Sequence, residues 1–491
     1  MVKTKRILIA LAVIGANMLH TMPVYTSLAA EPDYTITHGT DSFEPSVAAD
    51  YKSVIGNQKI TSSDLTGWNM VIRNGTYDHN ADYDPAISLV ASNIAAANIN
   101  NNSLTINNGT FNYYIYGVKY GGTDVESVIS NNNTTLNDGT YNYGVYGVYA
   151  KNGKVKENTL TIEGGSFKYG SSNSISAGWV EQSGSVEANK VFINGGDVQY
   201  SKYIYGGFMR GTGDAINNEV TISGGTFGSN TTVYGGYSES GATKQNTVKI
   251  SGGIFDSDTR VYGGHSENGN VTDNEVIIEN MIFTKDVRLY GGYSVNGTAL
   301  DNILTITGSN FNYKQNSIYG GKSDTLAKGN KVHLTDVNYK YAIYGGYARD
   351  NTEGNEVTIS GGTIETNKSP IGSSSGIYGG YSTGSYNTTA TANGNVVTIT
   401  TGNITGMIVG GYAINVINNK VIINGGTFGN IGVYGGIADK ELFLREIKGN
   451  TVTITGGNFG SGAIICGGYF TPVGYSDHDQ PILDNKVTIS D

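Results

Sequence analysis

The chain has 491 residues, a formal net charge of −10 and a single cysteine. An acidic chain of this kind argues against nucleic acid and against anionic membranes as partners. One cysteine cannot form an intramolecular disulfide, so the fold has to be held together by its packed core.

Residues 1–30 have the pattern of a secretory signal peptide. Lys3, Lys5 and Arg6 form a positive start, and the apolar run that follows, residues 7–19, is too short for a membrane-spanning helix. Small residues that suit cleavage occur just before position 30. We therefore expect the mature chain to be exported, either to the cell surface and outer membrane or into the extracellular medium.

Residues 31–65 carry no clear repeat and contain Pro32, Pro45 and scattered acidic residues. A repeat domain occupies residues 66–491. Because the first coil of a repeat domain would otherwise expose a strand edge, residues 31–65 are predicted to form an N-terminal cap or a disordered lead.

The repeat unit is represented by Asn218–Phe227, Asn-Glu-Val-Thr-Ile-Ser-Gly-Gly-Thr-Phe, followed by Val233–Tyr237, Val-Tyr-Gly-Gly-Tyr. Its opening asparagine recurs at intervals of 24 to 40 residues, most of them 28 to 31. Periods in this range are typical of solenoids and repeat arrays. The asparagines are Asn102, Asn132, Asn158, Asn189, Asn218, Asn246, Asn274, Asn302, Asn330, Asn355, Asn395, Asn419, Asn450 and Asn485.

Within the unit, Val220 and Ile222 flank Thr221, an apolar–polar–apolar alternation with the period of a half-buried strand. A Gly-Gly pair then permits a corner, and Phe227 follows it. A single unit cannot bury its apolar face, so successive copies must stack. The sequence predicts an all-β protein, a parallel β-solenoid of about 14–15 coils with a repeat of about 29 residues.

Two sets of repeated residues leave alternatives open. The asparagines either form a buried hydrogen-bonded ladder or are exposed turn formers. The tyrosines of the second half-unit either stabilise neighbouring strands by stacking or form an outward stripe for sugar rings or protein surfaces. The Gly-Gly pair after each tyrosine leaves their facing open. These tyrosines are Tyr116, Tyr146, Tyr205, Tyr234, Tyr262, Tyr290, Tyr319, Tyr344, Tyr378 and Tyr434.

Signals of enzyme chemistry are weak. The G-x-S-x-G pattern at 372–376 lies in a low-complexity loop without a strand-to-helix elbow, and no zinc-protease or phosphate-loop motif occurs. The histidines are scattered, and His265 and His333 replace Tyr and Thr as surface variants of the repeat. Cys466 takes a tyrosine position. We therefore expect no catalytic residues, no metal site and no cofactor.

The candidate binding surfaces are insertions at the coil corners, because loops that leave a regular coil carry most of its chemical variety. The two longest lie at residues 365–375 and 383–393; two more lie at 438–448 and 470–481. The candidate residues in them are Glu365, Ser375, Thr383, Asn393, Lys440, Glu446, Tyr475 and Asp477.

The export signal, the scarcity of cysteine and the N-x-V-T-I-x-G-G-T-F…V-Y-G-G-Y repeats of residues 69–491 resemble the adhesin-like passenger domain of a Gram-negative autotransporter. That resemblance implies a right-handed parallel β-helix, displayed on the cell surface through an outer-membrane barrel encoded beyond Asp491. It also implies binding to a host or neighbouring-cell surface protein or glycan.

Two other hypotheses for the function remain. One is a secreted β-helical polysaccharide lyase or hydrolase, which would need carboxylates converging on one face across neighbouring coils. Acidic residues are not contiguous at the position after each repeat asparagine, where Glu219 and Glu275 alternate with Thr247 and Ile303. The other is a secreted, unanchored solenoid without a defined role.

Overall fold

The computed structural model of the protein describes residues 34–38, 41–43, 66–77, 87–92, 98–168, 174–312, 316–366, 375–384, 390–438, 446–471 and 482–490. Within these ranges the chain is all-β and contains no helix. Parallel strands stack as a β-solenoid of about 12 turns with about 29 residues per turn, which confirms the predicted fold class and period. The described structure has about 12 turns, where the sequence predicted about 14–15 coils.

Each complete coil has four strand positions, and the strands at each position stack in register. First-row strands follow the repeat asparagine and contain the Val-x-Ile alternation. They are Trp68–Ile72, Ser103–Ile106, Asn133–Leu136, Thr159–Ile162, Lys190–Ile193, Glu219–Ile222, Thr247–Ile250, Glu275–Glu279, Ile303–Thr307, Lys331–Ala348, Glu356–Glu365, Val396–Ala413, Lys420–Ile423, Thr451–Ile454 and Lys486–Ile489. Three of these run on into later rows, namely Lys331–Ala348, Glu356–Glu365 and Val396–Ala413.

Second-row strands are short and follow the glycine corner, bringing the bulky residue inward. They are Thr76–Tyr77, Thr110–Phe111, Thr140–Tyr141, Ser166–Phe167, Asp197–Val198, Thr226–Phe227, Ile254–Phe255, Ile282–Phe283, Asn310–Phe311 and Asn458–Phe459.

Third-row strands carry the Tyr-Gly-Gly-Tyr sequence or, in other coils, variants of it. They are Ile87–Ser92, Ile115–Tyr120, Val145–Lys156, Ser174–Glu187, Tyr203–Met209, Thr232–Ser238, Thr259–Ser266, Val287–Ser294, Asn316–Ser323, Ile377–Ser382, Thr427–Ala438 and Ile464–Phe470. Fourth-row strands close each coil. They are Asn98–Asn100, Val128–Ser130, Ala215–Ile216, Thr243–Lys244, Val271–Thr272, Thr298–Leu300, Leu326–Lys328, Asn351–Glu353, Thr391–Asn393, Asn415–Ile417, Ile447–Lys448 and Ile482–Leu483.

The hydrophobic core lies inside the coils and repeats from one coil to the next. In the Asn218 repeat, Val220, Ile222 and Val233 are fully buried and Phe227 is nearly so, whereas Thr221 is half-buried on the outward side. Phe227 stacks on Phe255 of the next coil with ring centroids 4.5 Å apart. The predicted alternation of the first row is therefore confirmed.

The repeat asparagines form a buried hydrogen-bonded ladder and are not exposed turn formers. Both the backbone N–H and Nδ2 of Asn246 donate to Oδ1 of Asn274, at 3.0 and 2.8 Å. Nδ2 of Asn246 also donates to the carbonyl of Ala215 at 2.9 Å. The same two donors reach the next asparagine from Asn102 through Asn450. Buried polar groups at the coil corner are thus paired within the protein.

The residue before each ladder asparagine has a left-handed backbone. Most of these positions hold Asn, Asp or Gly, which tolerate positive φ. Ala188 (φ 52°), Glu157 (φ 57°) and Gln245 (φ 55°) are exceptions that take the same turn. The left-handed turn is therefore imposed by the coil.

The glycines of the third row make room for the ladder. A Cβ built on Gly236 would lie 2.4 Å from Cγ of Asn246, and one on Gly264 would lie 2.4 Å from Cγ of Asn274. A side chain at either glycine would displace the ladder asparagine. The Gly-Gly pair and the asparagine are therefore one packing unit.

A second polar ladder lies at the end of the third row, and the sequence did not suggest it. Ser266 Oγ donates to the carbonyl of Gly241 in the preceding coil at 2.7 Å and accepts from the N–H of Gly269 at 2.8 Å. Ser238 and Ser294 repeat the arrangement.

The described part of the lead segment covers the first coil. Tyr34–His38 pairs antiparallel with Trp68–Ile72, and Asp41–Phe43 pairs antiparallel with Tyr34–His38. All other strand pairs among the described residues are parallel. The N-terminal edge of the first row is thus paired, which is the geometry of a cap.

Candidate functional site

The predicted binding loops are described only at their ends. Glu365 is exposed at the end of its strand, and Lys340 Nζ lies 3.0 Å from its carboxylate. Ser375 is buried, with 3% of its surface exposed. The intervening residues 367–374 lie outside the described chain, including Ser374 at the centre of the G-x-S-x-G pattern.

The second loop begins and ends at coil edges. Thr383 is exposed, and its N–H donates to the carbonyl of Ala348 at 3.1 Å. Asn393 is half-buried in a fourth-row strand, where its carbonyl accepts from the N–H of Gly354 at 2.9 Å. Residues 385–389 are outside the described chain. The described ends of this loop are therefore tied to neighbouring coils by backbone hydrogen bonds.

Of the remaining candidates, only Glu446 is described. It is half-buried, its N–H donates to Oδ1 of Asn415 at 3.1 Å, and its carbonyl accepts from Val416 at 2.8 Å. Lys440, Tyr475 and Asp477 lie outside the described residues.

The predicted tyrosines form a column outside the central core. We call Tyr116, Tyr146, Tyr205, Tyr234, Tyr262, Tyr290, Tyr319, Tyr344, Tyr378 and Tyr434 the tyrosine column. The rings stack where successive coils both hold a tyrosine; for example, the Tyr262–Tyr290 centroids are 4.6 Å apart with an interplanar angle of 9°, and those of Tyr290–Tyr319 are 4.8 Å apart at 2°. The register is interrupted by Ser176 between Tyr146 and Tyr205, and by Val409 between Tyr378 and Tyr434. Cys466 continues the register after Tyr434, as predicted from the repeat.

A second column runs beside the first and was missed by the sequence interpretation. Its members occupy the position of the second tyrosine in Tyr-Gly-Gly-Tyr, three residues after the first. We call it the mixed column: Tyr149, Trp179, Phe208, Tyr237, His265, Tyr293, Lys322, Tyr347, Tyr381 and Tyr412. The spacing of the two tyrosines in Tyr-Gly-Gly-Tyr was the sequence signal that could have revealed this second column. The tyrosine and mixed columns together form the aromatic strip.

The two columns interlock at nearly right angles. Tyr234 and Tyr237 lie 5.4 Å apart with an interplanar angle of 77°, and Tyr378 and Tyr381 lie 4.9 Å apart, also at 77°. Within the columns, face-to-face neighbours cover the ring faces, so the strip presents mainly ring edges and phenol hydroxyls. Such pairs contribute about 0.5–1.5 kcal/mol each beyond area burial. The tyrosine column therefore contributes to stability whatever else it does.

The mixed column is the more accessible of the two. Tyr237, Tyr347 and Tyr381 are half-buried, whereas Tyr344 and Tyr378 of the tyrosine column are at most 2% exposed. Part of the strip forms a hydrophobic cluster of its own, separate from the central core. Contacts made through the strip would thus leave the central core undisturbed.

His265 is a buried member of the strip and not the surface variant expected from the sequence. Its ring stacks on Tyr237 at 5.2 Å, and its Nε2 lies 3.0 Å from Oε1 of Glu267. Only 6% of its surface is exposed, because its neighbours in the column cover both sides. The bond to His265 lowers the pKa of Glu267 below its ordinary value.

Burial changes the acidity of the strip phenols. Burial, helped by the charge of Glu181, raises the pKa of Tyr149 to about 12. Burial likewise raises the pKa of Tyr319 to about 12 and that of Tyr434 to about 12. The phenols therefore remain neutral hydrogen-bonding groups at physiological pH.

The regular stacking is interrupted at Tyr293 and Lys322. Tyr293 meets the His265 ring at 64° and turns parallel to Tyr290, at 25° with centroids 5.6 Å apart. The Lys322 ammonium then lies 4.9 Å from the centroid of Tyr293 and 5.5 Å from that of Tyr347. Beyond it the face-to-face column resumes with Tyr347 and Tyr381. Lys322 thus occupies a gap between two aromatic stacks.

The described residues contain no cluster of three or more His, Cys, Asp or Glu that could hold a metal ion. No helix that could span a membrane occurs in the same part of the chain. Comparison with known protein families, with curated proteins and with solved structures finds no match to this chain.

Proposed function

We propose that this chain is an exported passenger of the autotransporter type, displayed on the cell surface, whose β-solenoid has a structural and adhesive role. The observation that carries the proposal is the aromatic strip, a long, partly exposed surface of interlocked rings that lies outside the central core. Aromatic side chains are enriched at recognition surfaces because they supply large contact areas with few rotatable bonds.

The scaffold suits display outside the cell. Its core and ladders repeat in every coil, and stability in such arrays is close to a sum of repeat and interface contributions. It uses no disulfide, and its one cysteine, Cys466, is unpaired. A surface fibre of this type can be long without needing a globular core.

A non-catalytic role is favoured by the acids on the outward side of the first row. Glu219 lies 3.6 Å from Lys190, and Glu279 lies 3.1 Å from Lys249. Carboxylates held in exposed ion pairs serve solubility and local order more readily than paired acid–base catalysis. Cofactors and metals have no part in the proposed function.

The proposed partner is a protein or glycan on a host or neighbouring-cell surface, and anchoring would come from an outer-membrane barrel encoded downstream. The corner loops at residues 365–375, 383–393, 438–448 and 470–481 are further candidates for contact. The aromatic strip and the loops thus compete as recognition elements, and variants can separate them.

The test is adhesion of the full chain, purified and coated on beads, to a panel of host and bacterial cells. The same preparation is incubated with a polysaccharide panel and assayed for reducing and unsaturated sugar ends. We expect saturable binding to at least one cell type and no release of sugar ends. Release of sugar ends would replace the adhesive role with the lyase or hydrolase alternative, and absence of binding to every cell type would contradict adhesion.

A further inference from the structure

The gap in the mixed column has an unusual charge environment for an acidic protein. Lys322 lies with its ammonium 6.0 Å from the Tyr290 ring, 5.6 Å from that of Tyr319 and nearer still to those of Tyr293 and Tyr347. Among the residues that the structure describes, it forms no ion pair. Burial lowers its pKa, Asp324 partly opposes this, and the positive charge of Arg288 adds to the lowering.

A second positive group lies on the other side of the tyrosine column. Arg288 and Arg260 are register neighbours in adjacent coils. They share one carboxylate, because Asp258 lies 2.8 Å from Arg260 and 3.4 Å from Arg288. Two guanidinium groups with one shared carboxylate leave a net positive charge beside Tyr290. The Asp324 carboxylate on the Lys322 side is itself 3.5 Å from Arg349.

The phenol groups between these cations have hydrogen-bonding capacity left over. No described residue hydrogen-bonds the hydroxyls of Tyr290 and Tyr293, which lie between the cations, or that of Tyr347, which lies one coil beyond Lys322. Tyr293 and Tyr347 are half-buried at the surface. A ligand there would meet positive charge on both sides of a row of hydroxyls. Both strand edges are already paired with neighbouring coils, so a peptide could not add as a further strand.

We propose that Arg288, Lys322 and the tyrosines between them form a subsite for an acidic polysaccharide, with a uronate carboxylate placed between the two cations. Sugar hydroxyls would bond to the free phenol groups, and the carboxylate would supply the counter-charge that Lys322 lacks. Charge-assisted hydrogen bonds of this kind are stronger than neutral ones. This inference rests on the proposed adhesive function and names the chemical class of its ligand.

The experiment measures binding of the full chain to immobilised polygalacturonate by biolayer interferometry, with fully methyl-esterified polygalacturonate and polyglutamate as comparison surfaces. The test variant is the double substitution Arg288→Gln and Lys322→Met. The control is Lys249→Gln with Lys328→Gln, which removes two positive charges that are paired with Glu279 and Glu353 elsewhere. Methionine suits the ring-lined gap because thioethers make favourable aromatic contacts.

We expect the wild-type chain to bind polygalacturonate and to lose affinity as salt is added. The test variant should bind roughly ten-fold or more weakly, and the control variant about as well as wild type. The single variant Lys322→Arg should keep most of the binding. Unchanged far-UV circular dichroism in every variant shows that loss of binding is not loss of fold.

Three results would overturn the inference: equal binding of the neutral ester, equal binding of polyglutamate, or an unaffected double variant. Adhesion to cells without any binding to polygalacturonate would also refute the subsite while leaving the adhesive function standing. Failure of both assays would reject the adhesive function together with its subsite.

Discussion

Replacing one ladder asparagine, Asn274→Ala, should destabilise the solenoid strongly. Asn274 Oδ1 accepts from the N–H and Nδ2 of Asn246, at 3.0 and 2.8 Å. Its own Nδ2 donates to Oδ1 of Asn302 at 3.0 Å and to the carbonyl of Thr243 at 3.1 Å. Alanine removes these side-chain contacts and leaves two N–H groups of Asn246 without an acceptor, namely the backbone N–H and the one Nδ2 hydrogen that is not bonded to Ala215. Because Asn246 is fully buried, water cannot replace the lost acceptor.

Each buried donor left unpaired costs about 1–3 kcal/mol, so the expected loss is about 2–6 kcal/mol before any cavity is counted. The assay is urea unfolding followed by far-UV circular dichroism. The control is Asn296→Ala, because Asn296 is exposed and its side chain donates to Oδ1 of the exposed Asn268 at 3.0 Å, while its backbone bond to Glu267 is kept in the variant. That change should stay within about 0.5 kcal/mol. Equal losses from Asn274→Ala and Asn296→Ala would refute the ladder as a stabilising element.

Three further predictions concern the turn before the ladder, the first-row core and a tyrosine of the aromatic strip. Ala188→Gly should raise the unfolding free energy by about 0.5–1 kcal/mol, because it relieves a positive φ. Gly354→Ala, at the equivalent turn of another coil and with open space around it, should lower the unfolding free energy. Urea unfolding of the two variants should therefore show changes of opposite sign. Val220→Asp should lower the unfolding free energy several times more than Thr221→Asp, since only Val220 is fully buried. Similar thermal midpoints of the two variants would contradict the assigned alternation of buried and outward residues. Burial raises the pKa of Tyr149 from 10.0 to about 12. The buried neutral phenol therefore contributes its full stability below pH 10, and this contribution is lost as the pH rises toward 12. A urea midpoint that stays constant from pH 10 to pH 12 would contradict this prediction.

The solenoid could be predicted because its determinants are local and repeated. The alternation at Val220, Thr221 and Ile222 gives the buried and exposed sides of the first row directly. The ladder needed the structure, since an asparagine in an exposed turn and one in a buried stack look alike in sequence. What distinguishes them is the pair of bonds to the next coil and the glycine packed on the amide, as at Gly236 and Asn246.

The aromatic strip could be predicted only in part. A strict period of two puts Tyr234 outward and Tyr237, three residues later, inward. The strand bends at Gly235 and Gly236, which approach the neighbouring backbone and the ladder, so both tyrosines lie on the same side. The role of Lys322 could not be predicted from its position in the repeat, because it depends on four rings from three successive coils.

Recognition by the aromatic strip should be separable from the stability of the core. The most direct measurement compares cell adhesion of the full chain with that of the triple variant Tyr237→Ser, Tyr347→Ser and Tyr381→Ser, which alters half-buried members of the mixed column. The control is Tyr200→Ser, since Tyr200 is 56% exposed outside the strip. We predict that the triple variant loses most of its adhesion while its β-type far-UV spectrum and that of the control stay unchanged. Full adhesion by the triple variant would show that the strip is not the recognition surface and would move recognition to the corner loops.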